Sequence, residues 1–313
     1  MTDLQRTEVS IHRSQAHGTP PPKESGAPAT TARPARARRV RRRGSRTTTP
    51  LLALITLVSA FPLYFMVVMA SRPNDEIASL PPPLTPGDQL DDNIRRVLDN
   101  ADVMFVQAVM NSFIVAITAT ACVVLTSCMA GFAFAKLRFR GRDVLMLAVV
   151  VTMMIPIQLG LVPLYMLMAK LHLVGTLQSV ILPFVVSGFG VFFMRQFCLQ
   201  TIPDEMLDAA RLDGCSTWQV FWHVVFPVLR PAAAVLGLLV FMERWNDFLW
   251  PYLVLDLDHP TVQVALSRLS GGYYTDQALV MAGTLLGVVP LLAVFVLFGR
   301  QIVGGIMQGG MKS

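Results

Sequence analysis

Two short stretches of this 313-residue chain collect the residue types that a specific task needs. In the first, Thr201, Pro203, Asp204 and Glu205 open a helix: a hydroxyl cap, a proline tolerated in the first turn, and acids that complement the positive end of the helix dipole. Asp208, Ala209, Ala210 and Asp213 follow, and Gly214 closes it as the residue least penalised in a left-handed conformation. Ser216 and Gln219 then match a capping box for a second short helix ending near Pro227. The second stretch is Glu243, Arg244, Trp245, Asn246 and Asp247, which sets charge, amide and indole side by side inside an otherwise apolar run. Ionisable groups in such a run mark a functional site or a paired structural brace; Arg244 and Asp247, at i and i+3, have the spacing for the brace.

Nothing else in the chain points to catalysis. The sequence has no GxxxxGK[ST], HExxH, GxSxG or GxGxxG motif, so any nucleotide chemistry must come from a partner. The five histidines are scattered, and Cys122, Cys128, Cys198 and Cys215 lack metal or CxxC spacing. No metal, cofactor or catalytic residue is expected.

The elements that must position these stretches are membrane helices. With 53% hydrophobic and 15% charged residues, the chain lacks the polar surface of a globular domain, which carries about 25% charge. Uncharged runs extend over 47–71, 103–135, 144–169, 173–194 and 277–299, each long enough to cross about 30 Å of hydrocarbon. A sixth, 231–255, contains Glu243, Arg244 and Asp247. The sequence therefore predicts an all-α membrane protein with six transmembrane helices, residues 47–313, and a long loop at about 195–231 built as helix, glycine hinge, helix.

Residues 1–46 read as a disordered basic tail. The first 50 residues hold eleven Lys and Arg against three acids, with Pro20, Pro21 and Pro22 and few large apolar side chains. A basic run just before an apolar span fixes orientation and clings to anionic lipid; no nucleic-acid partner is expected. The first span is too long, and too far from the start, for a cleaved signal. Arg and Lys concentrate in the tail, in 136–142, in the fourth connection and after residue 299, which predicts cytoplasmic termini and a cytoplasmic fourth connection. Two adjacent alanines on a helix there suit insertion into a partner's groove; the same face also suits packing under the protein's own helices.

Asp208-Ala209-Ala210, Asp213-Gly214, Phe226-Pro227 and Pro231 together resemble the EAA loop of the inner-membrane permease subunits of ABC importers. Arg72 to Ile77, Asn111-Ser112, Trp245 to Phe248, Gly305, Gly309 and Lys312 resemble the carbohydrate-uptake branch, in its maltose-transporter-type second permease subunit. Asp208 stands where that pattern has Glu, Cys215 where it has Ala, and Glu243-Arg244 where it has uncharged residues. The resemblance implies a non-enzymatic transport subunit whose coupling loop, with Asp208, Ala209, Ala210, Asp213 and Gly214, docks on the ATPase. Glu243, Arg244, Trp245, Asn246 and Asp247 are candidates for the solute path on their own chemistry, since they set acceptors, donors and a flat aromatic surface together in an apolar run, with the Arg244–Asp247 brace as the alternative. The resemblance also implies a homologous sister permease, two cytoplasmic ATPase subunits that bind the ATP, and an extracytoplasmic solute-binding protein in a cell (inner) membrane assembly. A polyamine or other small polar solute is the alternative to sugar; an ATPase-independent six-helix channel or a membrane enzyme is the alternative from another class.

Overall fold

The computed structural model describes residues 48–77, 79–271 and 275–310. The basic tail and Lys312 lie outside the described residues. The chain divides into two units, Met1–Leu52 and Ala53–Ser313; of the first, only the helical residues 48–52 are described.

Every regular element among the described residues is helical. They run α1 (Thr48–Ala70), α2 (Asn74–Ile77), α3 (Leu90–Leu98), α4 (Phe105–Lys136), α5 (Arg142–Met154), α6 (Leu161–Lys170), α7 (Leu177–Ile181), α8 (Gly188–Thr201), α9 (Asp204–Leu212), α10 (Thr217–Val220), α11 (Phe226–Trp245), α12 (Leu249–Val254), α13 (Val262–Leu269) and α14 (Gln277–Gly310). Four stretches are long and apolar enough to cross a membrane unbroken: Thr48–Ala70, Phe105–Lys136, Thr217–Trp245 and Gln277–Leu297. Two bent pairs bring the number to six if each is one span. Residues 53–64 of α1 are exposed throughout, as side chains that face lipid or a partner subunit would be.

Two of the six expected spans are bent. Residues 142–170 turn through 93° between α5 and the 3-10 segment Ile157–Gly160. Pro156 is the cause: the residue before a proline is pushed out of the α region, and Ile155 is extended at φ −85°, ψ 119°. Between Phe184 and Gly188 the chain bends by 41°. Pro183 lies in the 3-10 turn Leu182–Phe184, and the Ser187 hydroxyl restarts the helix by accepting from the Gly190 N–H at 3.1 Å.

The fifth span is also longer at its start than expected. The second helix of the loop does not stop near Pro227 but runs on, through the π-helical turn Phe221–Val225, into α11. The Phe226 N–H bonds to the Phe221 carbonyl, five residues back, and the widened turn lets the helix continue across a proline that has no N–H of its own to give.

Packing centres on α4, which lies against α8 and α11. Asn111 and Ser112 pin its N-terminal part: the Asn111 amide donates to the Pro260 carbonyl at 2.9 Å, and the Ser112 hydroxyl accepts from the Val262 N–H at 2.9 Å. Gly283 and Gly287 of α14 give α13 its close approach, since a Cβ at Gly283 would meet a Leu269 methyl at 2.7 Å.

Candidate functional site

The α9 turn is made by local capping. Gly214 has φ +81°, the Cys215 N–H bonds to the Ala210 carbonyl at 3.1 Å, and the Gly214 N–H bonds to the Arg211 carbonyl at 3.0 Å: a complete Schellman motif. The capping box is formed in both directions, with the Ser216 N–H donating to Gln219 Oε1 at 2.8 Å. Thr201 does not cap α9; its hydroxyl donates to the Phe197 carbonyl, ending α8, and Pro203 occupies the cap position without a side-chain bond. Asp204 is instead bound by Lys136 at 2.6 Å, tying the end of α4 to the start of α9. That hydrogen bond, reinforced by the ammonium charge, holds the Asp204 carboxyl below its usual range.

The two faces of α9 have different neighbours. Leu207 and Ala210 are buried against the cluster that includes Phe132, Cys198, Ile202, Val220 and Phe221. Asp208, Ala209, Asp213 and Gly214 point outward, with Asp208 paired to Arg211 at 3.2 Å. Leu212 at 89% and Trp218 at 61% exposure extend that outward surface across the hinge. Sequence reasoning missed these two large apolar groups, although each lies within four residues of Gly214.

Residues 243–247 form the end of α11 and the corner into α12, and here distant parts of the chain meet. Arg244, only 8% exposed at its side chain, pairs with both Glu243 and Asp247, the latter at 3.2 Å. Its guanidinium carbon lies 4.3 Å from the centre of the Phe184 ring, a cation–π contact. A cavity of about 190 Å³ opens beside these groups, lined by Ile157, Gln158 and Leu161 from the first bent pair, Phe184 from the second, and Glu243, Arg244, Asp247, Leu249 and Trp250 from the corner. Both breaks in the bent spans and the end of α11 therefore border one cavity that holds three charged side chains. Trp250 fixes the corner by donating from its indole to the Ser179 carbonyl at 3.0 Å.

Trp245 and Asn246 are placed differently from their neighbours. Trp245 is 1% exposed, stacks on Phe241, meets Phe113 edge-on, and donates to the Gly287 carbonyl of α14 at 3.2 Å. It stands behind the cavity and does not line it. The Asn246 amide turns back to the Met242 carbonyl at 2.8 Å, closing the helix end. Sequence reasoning named only Glu243, Arg244 and Asp247 of the lining residues; Gln158 and Phe184 are among those it missed, and Pro156 and Pro183, which lie within two residues of them, were the signal.

Apolar helices, two of them broken, around a cavity that holds three charged side chains, with a capped loop whose outer face is exposed, suit a membrane transport component. The comparisons with known proteins agree. Residues 123–304 match the family described as binding-protein-dependent transport system inner membrane component, and the chain belongs to that family. It is 34% identical over 267 residues to the arabinooligosaccharides transport system permease protein AraQ of Halalkalibacterium halodurans, covering 83% of this chain and 94% of that one. It is 35% identical over 263 residues to the lactose transport system permease protein LacG of Rhizobium radiobacter, covering 84% and 94%. The sn-glycerol-3-phosphate transport system permease protein UgpE of Yersinia enterocolitica is 30% identical over 265 residues, covering 82% and 94%. The fold matches a chain in the crystal structure of a bacterial ABC transporter involved in the import of the acidic polysaccharide alginate, with a TM-score of 0.69, 22% identity, and coverage of 80% and 94%. Family membership makes the chain an inner-membrane transport subunit and not an enzyme, and sets aside the channel and membrane-enzyme alternatives.

Proposed function

We propose that the chain is one permease subunit of an ATP-driven importer for a sugar or oligosaccharide, with its solute path at the Arg244 corner and its ATPase contact at the α9 turn. The observation that carries this reading is the convergence of two broken spans and the end of the fifth on one cavity that holds Glu243, Arg244 and Asp247. Irregular backbone at membrane depth is tolerated where it lines a cavity, and discontinuous helices are a recurrent way of building transport sites. Glu243 and Asp247 supply acceptors, Arg244 donors and Gln158 both, a set that matches hydroxyl groups. Trp245 and Asn246 belong to the same site as its support. The sugar reading draws on AraQ and LacG, whose names specify sugar solutes. A small cation such as a polyamine is the second reading, favoured by two carboxylates against one guanidinium.

The helix Thr217–Trp245 gives the mechanism its geometry. Its 29 residues span about 43 Å, with the capping box at one end and Arg244 at the other. Two ATPase subunits binding ATP would close on the α9 turns of this chain and a homologous sister permease, and each long helix would carry that movement to the cavity. The solute would arrive from an extracytoplasmic binding protein. Both termini and the α9 turn face the cytoplasm in this reading, supported by twenty of the 26 Lys and Arg falling on that side.

The docking assignment is tested at Ala209, which is exposed on α9. Ala209→Glu is expected to leave membrane insertion intact and to weaken ATPase association by about 1–3 kcal/mol, because it buries a charge at the contact. Co-purification of the ATPase at the wild-type level would refute it. The second reading is tested by uptake into vesicles of neutral oligosaccharides against polyamines.

A further inference from the structure

Two cavities open where α4 gives way to α5, away from the Arg244 corner. The larger, about 820 Å³, lies between Lys136, Arg138, Phe139 and Arg142 on one side and α9 on the other. The smaller, about 460 Å³, lies on the α5 side of the same turn and shares Arg138, Phe139 and Arg142 with it. The acids at these cavities are already engaged: Asp204 by Lys136 at 2.6 Å, Asp208 by Arg211 at 3.2 Å, and Asp143 by Arg142 at 3.2 Å. Arg138 and Arg140 form no ion pair among the described residues, although Arg138 adds its field to that of Lys136 on Asp204. The turn thus carries positive charge in excess of what the protein neutralises.

The surface that begins beside those arginines is apolar. Val144, Leu145 and Leu147, in the first turns of α5, are 72%, 52% and 63% exposed, and Phe139 stands half-exposed between Arg138 and Arg140. Cations and an aromatic ring at the rim of an outward apolar helix face are the arrangement of side chains at the headgroup level of a bilayer. A wholly polar protein partner would satisfy the arginines and leave that apolar face in water; a lipid satisfies both.

We propose that the α4–α5 turn is a binding site for an anionic phospholipid. The guanidinium groups of Arg138 and Arg140 hold the phosphate, the smaller cavity, which Arg138 and Phe139 line, receives the headgroup, and Phe139 and the opening of α5 lie along the acyl chains. The site is separate from the solute path and holds its lipid whichever solute is carried.

The test uses the complete transporter in detergent, equilibrated with vesicles of phosphatidylglycerol and phosphatidylcholine in equal amounts and analysed by native mass spectrometry. Selective retention of phosphatidylglycerol is expected, falling by about fivefold for each arginine removed in Arg138→Gln with Arg140→Gln. Arg138→Lys with Arg140→Lys, which keeps the charge, is expected to retain most of it. Equal retention of the two lipids by the wild-type complex, or undiminished phosphatidylglycerol in the glutamine variant, would overturn the proposal. Displacement of the lipid by inorganic phosphate would identify a soluble-anion site instead. Loss of the ATPase from the glutamine variant with lipid retention unchanged would identify a protein contact, and either result would also overturn it.

Discussion

The α9 turn and the Arg244 corner are both polar interruptions of an apolar chain, yet they are built in opposite ways. The turn is assembled from neighbours: Ala210, Arg211, Gly214 and Cys215 satisfy each other's backbone groups, and Ser216 and Gln219 cap the helix that follows. The corner is assembled from strangers, with Gln158, Phe184 and Arg244 brought together only because two spans break where a third ends. Local capping yields a projection whose shape survives changes on its outer face. Non-local convergence yields a cavity whose shape depends on every wall. Substitutions on the outside of α9 should therefore affect partners more than stability, whereas substitutions at or behind the corner should affect both.

The largest effect is expected behind the corner. Trp245→Ala removes a fully buried indole and its bond to Gly287, and should lower stability by about 3–5 kcal/mol, read as earlier thermal unfolding of the purified complex. Arg244→Met should cost about 2–3 kcal/mol, below the 3–5 of a fully buried pair because Glu243 remains in contact with solvent. Arg244→Met combined with Asp247→Leu should recover part of that loss, since no buried carboxylate is then left alone. A double variant no more stable than the single would show that Arg244 acts through Phe184 and packing, not through charge.

Smaller effects belong to the turn. Gly214→Val should cost about 1–2 kcal/mol from its left-handed backbone alone, because the space around the position is open. Its larger consequence should be reduced ATPase stimulation. The smallest effect concerns Asp204. Its carboxyl titrates lower in the folded protein than in the unfolded chain, so its contact with Lys136 stabilises fully above about pH 4, the ordinary carboxylate value, and fades as pH falls through the lowered folded value. Stability should be insensitive to this pair between neutral and mildly acidic pH, and Lys136→Met should remove its share of the acid dependence in a pH series of unfolding curves.

Legibility in the sequence follows the same division. Gly214, the Ser216–Gln219 box and the Arg244–Asp247 pairing could be read from spacing because each rests on contacts within a few residues. The spans could be read from uncharged length. The 93° turn at Pro156 could not, since a single proline in an apolar run is compatible with anything from a slight kink to a reversal, and surrounding helices decide which. Pro227 looked like a stop because the compensating π turn leaves no mark in composition. Trp245, beside Asn246 and Asp247, has the composition of a binding platform, but only packing against Phe113, Phe241 and Gly287 reveals that its ring faces the core.

ATP hydrolysis and solute uptake, recorded together in vesicles for Ala209→Glu and Glu243→Gln, separate the two regions by function. Ala209→Glu is expected to lose both activities in step, because the ATPase no longer engages. Glu243→Gln, at an exposed cavity wall, is expected to keep hydrolysis stimulated by the binding protein while uptake per ATP falls or its solute preference changes. Full uptake in Ala209→Glu, or unchanged uptake per ATP and solute preference in Glu243→Gln, would contradict the division of labour between the turn and the corner.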